Sequence, residues 1–350
     1  MPIIEAEGLT KTFRNAVKPP GLAGSLKHLF TRKYTEKTAV DHIRLYINEG
    51  EAVAYIGPNG AGKSTTVKML TGILVPTSGA VTVDGLIPYK QREANARKIG
   101  VVFGQRTQLW WDIPIMESFA LNRDIYEIPA ARYNENMTRF SNLLELDEFI
   151  NQPARKLSLG QRMRADLAMS LLHDPKILYL DEPTIGLDIG VKERVRAFIR
   201  EINRNGTTVM LTTHDLGDIE DICERIIIID YGRIIYDGTL AEVKDRYARE
   251  RTLRVQLAGR TSGETLPDGI KSKLGMELVN LNAGISYPAG NEIHIAFDKD
   301  GVSARELLRR IIDLVDVADF TIDEPKIGTV IKQVYARTLD IKGADGHDGQ

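Results

Sequence analysis

Short, almost unbroken apolar runs alternate with helical patterning through the first two-thirds of the chain. The runs are "EAVAYI" (51–56), "IGVVF" (99–103), "KILYL" (176–180), "TTVMLTT" (207–213) and "RIIIID" (225–230). Strands apolar on both faces must be covered on both faces, so the pattern predicts a buried, largely parallel α/β sheet. Residues 113–172 carry helical spacing only and predict a helical subdomain inside that fold. Near residue 248 the pattern changes. "RTLRVQLAG", "NEIHIAFD", "SARELLRRIIDLV" and "VADFTIDEP" read as strand, strand, helix, strand, and "IGTVIKQVYARTL" as a closing helix. The expected organisation is an α/β domain over 1–247, a small α+β domain over 248–339, and a disordered tail over 340–350, where no large apolar side chain remains beyond Ile341.

One stretch interrupts the first domain. In residues 14–37, Pro19, Pro20, Gly21 and Gly24 mark a loop, after which Leu22, Leu26, Leu29 and Phe30 fall at helical spacing beside Lys27, Arg32 and Lys33. Two readings stay open: a solvated loop whose apolar residues pack on the host domain, or a basic amphipathic helix that meets a membrane-embedded partner or anionic lipid headgroups.

Composition narrows the class. The 350 residues are 43% hydrophobic and 27% charged, enough for a substantial core. A net charge of −2 argues against a general polyanion binder, so no nucleic-acid partner is expected. The single cysteine, Cys223, excludes an internal disulfide. The start "MPIIEAEGLTKTF" has no signal pattern, and no apolar run approaches the roughly 18 residues of a membrane span. If the protein works at a membrane, other chains are expected to supply the spans.

Chemistry enters with "GPNGAGKS". Gly57-x4-Gly62-Lys63-Ser64 follows a strand run and opens a helical one, the context that gives a phosphate loop its meaning. Gly57, Gly60 and Gly62 allow backbone N–H groups to aim at phosphate oxygens, with Pro58, Asn59, Ala61 and Thr65 completing the loop. Lys63 is placed to reach the β- and γ-phosphates and Ser64 to ligate Mg²⁺. In "ILYLDEPT", Asp181 emerges at a strand's carboxyl end, where open α/β sheets bind ligands, and can hold the Mg²⁺ hydration shell. Glu182 follows as candidate general base. A second phosphate-type element lies almost a hundred residues beyond the first. "KLSLGQRMRADLAMS" (156–170) puts Ser158, Gly160 and Gln161 at a helix start, where free N–H groups and the dipole favour an anion.

Taken together, these motifs resemble the ATP-binding subunits of ABC transporters, over about residues 3–240. Gln105 in "VVFGQRT" is similar to the glutamine that senses Mg²⁺ and the attacking water, and "LSLGQ" (157–161) to the signature LSGGQ, with Leu159 where the signature has its first glycine. Asp188 in "IGLD" resembles the D-loop aspartate, and His214 in "LTTHD" the switch histidine that contacts the γ-phosphate. The resemblance implies a P-loop ATPase that uses ATP and Mg²⁺ and pairs head to tail with a second ATPase protomer, most simply its own copy. Ser158, Leu159, Gly160 and Gln161 then face the phosphate held by the opposite protomer. It also implies an aromatic that stacks on adenine; Phe13, at the end of "LTKTF", is favoured over Tyr34.

What the ATPase drives is a further expectation. "GQRTQLWWDIPIMESF" (104–119) runs into the helical region where such subunits receive their membrane partner. Trp110 and Trp111 either offer an exposed ring there or pack between subdomains. "IDEPKIGTVIKQVYART" resembles the terminus of drug- and sodium-efflux ATPases rather than the barrel of sugar importers. The expectation is therefore an export ATPase, held at the cytoplasmic face of the membrane by separately encoded permeases. An importer subunit, or a soluble relative acting on DNA or ribosomes, is the alternative. The long coiled coil or tandem domains of such soluble relatives are not seen.

Overall fold

A computed structural model of the chain describes residues 1–16, 34–104, 106–247, 250–258, 267–288 and 291–323, and residues 328, 331 and 334. Contacts divide it into two units, Met1–Leu240 and Ala241–Gln350. The first unit holds two sheets. Strands β1 (Pro2–Ala16) and β2 (Tyr34–Asn48) form a long antiparallel pair, and after β3 (Ala52–Ile56) the chain adds β4 (Ser78–Val83) to give the order β2-β1-β4. Val40, Ile43, Leu45 and Ile47 of β2 are buried and their neighbours are not, so this sheet has one wet face.

The second sheet carries the chemistry. β3 joins β5 (Ile99–Phe103), β6 (Ile177–Asp181), β7 (Thr208–Thr212), β8 (Arg225–Asp230) and β9 (Arg233–Thr239) in the order β5-β6-β7-β3-β8-β9. The first five are parallel and β9 is antiparallel. Every residue of β3 and β7 is buried, as their continuous apolar runs require. Ile4, Leu9 and Leu45 of the antiparallel sheet meet Tyr55, Met210 and Ile227 of the parallel one in a single buried cluster. The sequence pattern predicted the parallel sheet; the separate antiparallel sheet is new.

Helices α1 (Lys63–Leu70) and α2 (Arg92–Ala96) precede β5. Between β5 and β6 lie α3 (Ile115–Tyr126), α4 (Ala130–Leu144) and α5 (Leu159–Leu171), within the stretch expected to be helical. Pro114 and Pro129 begin the first two, and Glu127 and Glu145 end them in the left-handed region. Helix α5 is buried from Met163 to Leu171 and is the centre of this layer. Then come α6 (Ile189–Arg204), α7 (Leu216–Ile222) and α8 (Leu240–Tyr247). Phe140 of α4 meets Phe198 of α6 edge to face, centroids 5.6 Å apart.

The second unit is a four-stranded antiparallel sheet. Its elements are β10 (Glu250–Leu257), α9 (Asp268–Asn280), β11 (Gly284–Ser286), β12 (Glu292–Asp298), α10 (Ala304–Ile312) and β13 (Val317–Asp323), with strand order β11-β12-β10-β13. Leu253, Val255, Ile293 and Ile295 pack on Leu274, Leu278, Leu307 and Ile311. Helix α9 was not predicted: Gly269 and Gly275 dilute the Ile270, Leu274, Leu278 stripe that buries it. The interruption assigned to 14–37 is shorter than read, because β1 runs on to Ala16 and β2 begins at Tyr34. The basic helix expected around Leu22–Phe30, the tail 340–350 and most of the closing helix lie outside the described residues; Gly328, Ile331 and Val334 are helical. Among the described residues no helix is long and apolar enough to cross a membrane.

Candidate nucleotide-binding site

Four neighbouring strands of the parallel sheet, β5, β6, β7 and β3, deliver the motifs from their carboxyl ends. β3 runs into the phosphate loop, which turns into α1 at Gly62. Gly62 has φ +113°, and a β-carbon there would press on the Ala39 carbonyl. At Gly57 a β-carbon would collide with the Ile229 carbonyl. Both positions are therefore closed to other residues.

Lys63 donates from Nζ to the Gly57 carbonyl at 2.6 Å and to that of Pro58 at 3.2 Å, which folds its ammonium over the loop. Burial pulls this lysine below its ordinary range, while Glu182 and Asp181 pull it back up. Ser64 donates from Oγ to Asp181 Oδ2 at 3.2 Å, and Thr212 donates to Asp181 Oδ1 at 2.5 Å. The serine hydroxyl and the strand-end carboxylate, 117 residues apart, thus form one pair of hard oxygen donors of the kind Mg²⁺ prefers.

Glu182 sits one residue beyond the strand with φ +58°, a left-handed backbone that is costly for a non-glycine residue. Its N–H is held by the Thr212 carbonyl at 2.9 Å. His214 Nδ1 lies 2.6 Å from Glu182 Oε2, within ion-pair distance. Lys63, Ser64, Asp181 and Glu182 line one cavity of about 490 Å³ together with Asn59 and Arg106.

Beneath the pair lies Asp218 of α7, wholly buried. It accepts from Thr184 at 2.5 Å, Thr213 at 2.8 Å and Arg196 Nε at 2.7 Å. Thr184 follows Glu182 by two residues and Thr213 directly precedes His214, so one carboxylate fixes the backbone on both sides of the Glu182–His214 contact.

The second phosphate-type element stands apart. Ser158 is the N-cap of α5 in a full capping box: its Oγ accepts from Gln161 N at 3.2 Å and Gln161 Oε1 accepts from Ser158 N at 2.9 Å. Among the described residues lining the cavity, none comes from Ser158–Gln161. Asp188 caps α6 and accepts from Val191 N at 2.9 Å.

Comparison with known proteins agrees with this geometry. The profile of the ABC transporter family matches residues 40–185. The probable multidrug ABC transporter ATP-binding protein YbhF of Escherichia coli (strain K12) is 34% identical over 220 residues, 63% of this chain and 38% of YbhF. The Nod factor export ATP-binding protein I of Ralstonia nicotianae is 34% identical over 251 residues, 67% of this chain and 78% of that protein. This chain belongs to the ABC transporter ATP-binding proteins. The methionine import ATP-binding protein MetN of Haemophilus influenzae (strain ATCC 51907 / DSM 11121 / KW20 / Rd) is also similar, 29% identical over 303 residues, 76% of this chain and 88% of MetN. A dimeric ATP-binding cassette bound to ADP and Pi superposes with a TM-score of 0.56 at 27% identity, covering 68% of this chain and 98% of the cassette. The fold is thus that of a P-loop ABC cassette, an ATP-binding ATPase domain.

The remaining motif residues of the cassette can now be placed. Leu159, the departure from the family signature, is 42% exposed. Its Cδ2 would stand 3.1 Å from a β-carbon on Gly186, whose φ is +73°, so the missing side chain there makes room for it. Gly160 faces Val191 of α6 at a similar spacing. Phe13 is half-exposed on the β1–β2 pair, with the Lys11 ammonium 5.4 Å from its ring centroid, and does not line the cavity. Gln105 lies outside the described residues. Cys223 is buried, and burial pushes its thiol up, away from reactivity.

Thr212, Asp218, Arg196 and Asp166 were not read as functional from the chain. The signal for Asp166 was present: a carboxylate interrupts the apolar face of the helix that starts at the signature. It is 5% exposed, and burial pushes its carboxyl from an ordinary 3.8 up to about 6, against hydrogen bonds from Gln108 N and Thr107 Oγ1. A raised carboxylate pKa means that the folded state binds more protons through this window. Stability therefore falls as pH rises from near 3.8 to about 6 and stays low above it. Between pH 5 and 8 the wild-type protein should lose about 1.4 kcal/mol that Asp166→Asn keeps. Urea unfolding of both proteins at the two pH values measures this, and equal losses refute it.

Proposed function

We propose that this chain hydrolyses ATP as one half of a head-to-tail pair of identical subunits and drives export through separately encoded membrane permeases. The observation that supports pairing is the separation just described. Lys63, Ser64, Asp181 and Glu182 line one cavity, and none of Ser158–Gln161 at the start of α5 lines it. In the proposed pair, Ser158, Leu159, Gly160 and Gln161 at the start of α5 face the γ-phosphate held by the other copy's Lys63. Phe13 stacks on the adenine.

Ser64 and Asp181 would hold Mg²⁺, with Gln105 sensing it, and the metal would supply charge neutralisation at the phosphates. Glu182 takes the proton of the attacking water at its carboxylate as the water oxygen bonds to the γ-phosphorus and the bond to the bridging oxygen breaks. His214 holds that carboxylate in place. Asp188 sits where the two copies meet.

Trp110 and Trp111 are 54% and 49% exposed, with Met116 exposed beside them on α3. Exposed tryptophans beside an apolar helix face favour a protein partner over solvent, which supports a permease seat. Names among the relatives run both ways, export and import. The second unit supports export: its described residues form a four-stranded sheet packed with α9 and α10, unlike a sugar importer's barrel. The subunit is then peripheral on the cytoplasmic face, with the basic stretch within 14–37 against anionic lipid.

A mild-detergent pull-down of tagged Glu182→Gln protein from native membranes with ATP tests the whole reading. A polytopic membrane protein recovered in stoichiometric amount supports it. Soluble dimer alone, ribosomes or DNA would move the function elsewhere. Pairing has its own check: mixing Lys63→Ala with Ser158→Arg protomers should restore one intact composite site and an ATP-bound heterodimer, and no recovery counts against the head-to-tail arrangement.

A further inference from the structure

The segment Thr107–Trp111 leaves β5 just beyond residue 105 and carries the only two tryptophans of the chain. A cavity of about 360 Å³ lies beside its start, lined by Arg106, Thr107, Leu159, Arg162, Asp166 and Ile185. Polar contacts join the segment to the signature helix. Asp166 Oδ1 accepts from Thr107 Oγ1 at 3.0 Å and from Gln108 N at 2.9 Å. The same Thr107 hydroxyl accepts from Leu109 N at 3.1 Å. Nearer the signature, the Arg162 guanidinium stands 4.9 Å from the Trp111 ring centroid. On the other side of Ser158, Arg155 N donates to the Trp111 carbonyl at 3.2 Å, and the Arg155 side chain reaches Asp112 at 2.9 Å.

We propose that Asp166 is a positioning residue that clamps the Thr107–Trp111 segment to the signature helix, so that nucleotide-driven movement of Ser158–Gln161 is delivered to the exposed tryptophans. Asp166 touches neither nucleotide nor metal in this scheme. It lies two helical turns from Ser158 on the same rigid rod, and the two hydrogen bonds it accepts are on consecutive residues of the segment. The inference rests on the ATP-dependent closure proposed above.

The two tryptophans supply the readout without any label. Acrylamide quenching of their fluorescence is measured in full-length protein with and without Mg²⁺ and the non-hydrolysable imidodiphosphate analogue of ATP, whose binding is followed separately by equilibrium dialysis. Wild-type protein is expected to change its quenching constant on binding. Asp166→Ala should bind the analogue with unchanged affinity and lose the quenching change. Asp166→Asn should restore it, because the amide oxygen accepts the same two hydrogen bonds. Thr107→Val breaks the clamp from the other side and carries the same expectation if Asp166→Ala does not fold. A wild-type quenching response in Asp166→Ala or in Thr107→Val overturns the clamp, as does equal loss in Asp166→Ala and Asp166→Asn. Wild-type protein that binds no analogue overturns the ATPase reading itself, and the clamp falls with it.

Discussion

Glu182→Gln should bind ATP and fail to hydrolyse it. The substitution keeps the side chain's length and its place beside His214, whose Nδ1 lies 2.6 Å from the carboxylate, so the local geometry survives. What disappears is a group able to take a proton, because an amide is not basic near neutral pH. Proton transfer by a positioned side chain is worth roughly 10²–10⁴ in rate, and phosphate release should drop by about that factor. The strained backbone at Glu182, φ +58°, argues that the fold gives up stability to put this carboxylate at the cavity wall rather than in solvent. The ATP-bound pair should also accumulate, visible as a shift to double mass in light scattering when ATP is added. Hydrolysis at the wild-type rate would assign the proton acceptor to another group.

Lys63→Ala should lose ATP instead. The ammonium is bent over the phosphate loop by two carbonyls, its charge sustained by Asp181 and Glu182 against burial. Removing it leaves those two carboxylates on the wall of a cavity meant for a polyanion, with no lysine charge to offset them. Truncating one partner of a desolvated charge contact costs about 2–5 kcal/mol, so affinity should fall by roughly thirty- to several-thousandfold. Equilibrium dialysis against labelled ATP reads this directly. The fold should persist, since the glycines at 57 and 62 and the buried face of α1 are untouched. Binding within threefold of wild type would mean that the loop N–H groups alone hold the phosphates.

The contrast between these two residues and Asp166 shows what the chain discloses. Lys63 belongs to a contiguous motif, "GPNGAGKS", whose strand before and helix after can be read from local periodicity. Asp181 and Glu182 follow an apolar run, and an α/β sheet binds at that end of its strands. Ser158 declares itself as a helix cap. Each of these is a local rule, satisfied within a dozen residues. By itself, the chain's local patterning determined the P-loop cassette, the helical insert between β5 and β6, and the presence of a second small unit.

Tertiary structure decided the rest. The Ser64–Asp181 pair, the Thr212 hydrogen bond to Asp181, the burial of Asp218 under Thr184 and Thr213, and the Asp166 contacts to Thr107 and Gln108 all join residues set on different elements. No periodicity marks which hydroxyl will face which carboxylate, because that follows from strand order and helix placement. The β2-β1-β4 sheet escaped for a related reason: alternation identifies a strand and its buried face but not the partner it joins. The two exposed tryptophans are the sharpest case. Composition makes Trp a core or interface residue on equal terms, and only the fold around α3 and α5 left both about half exposed.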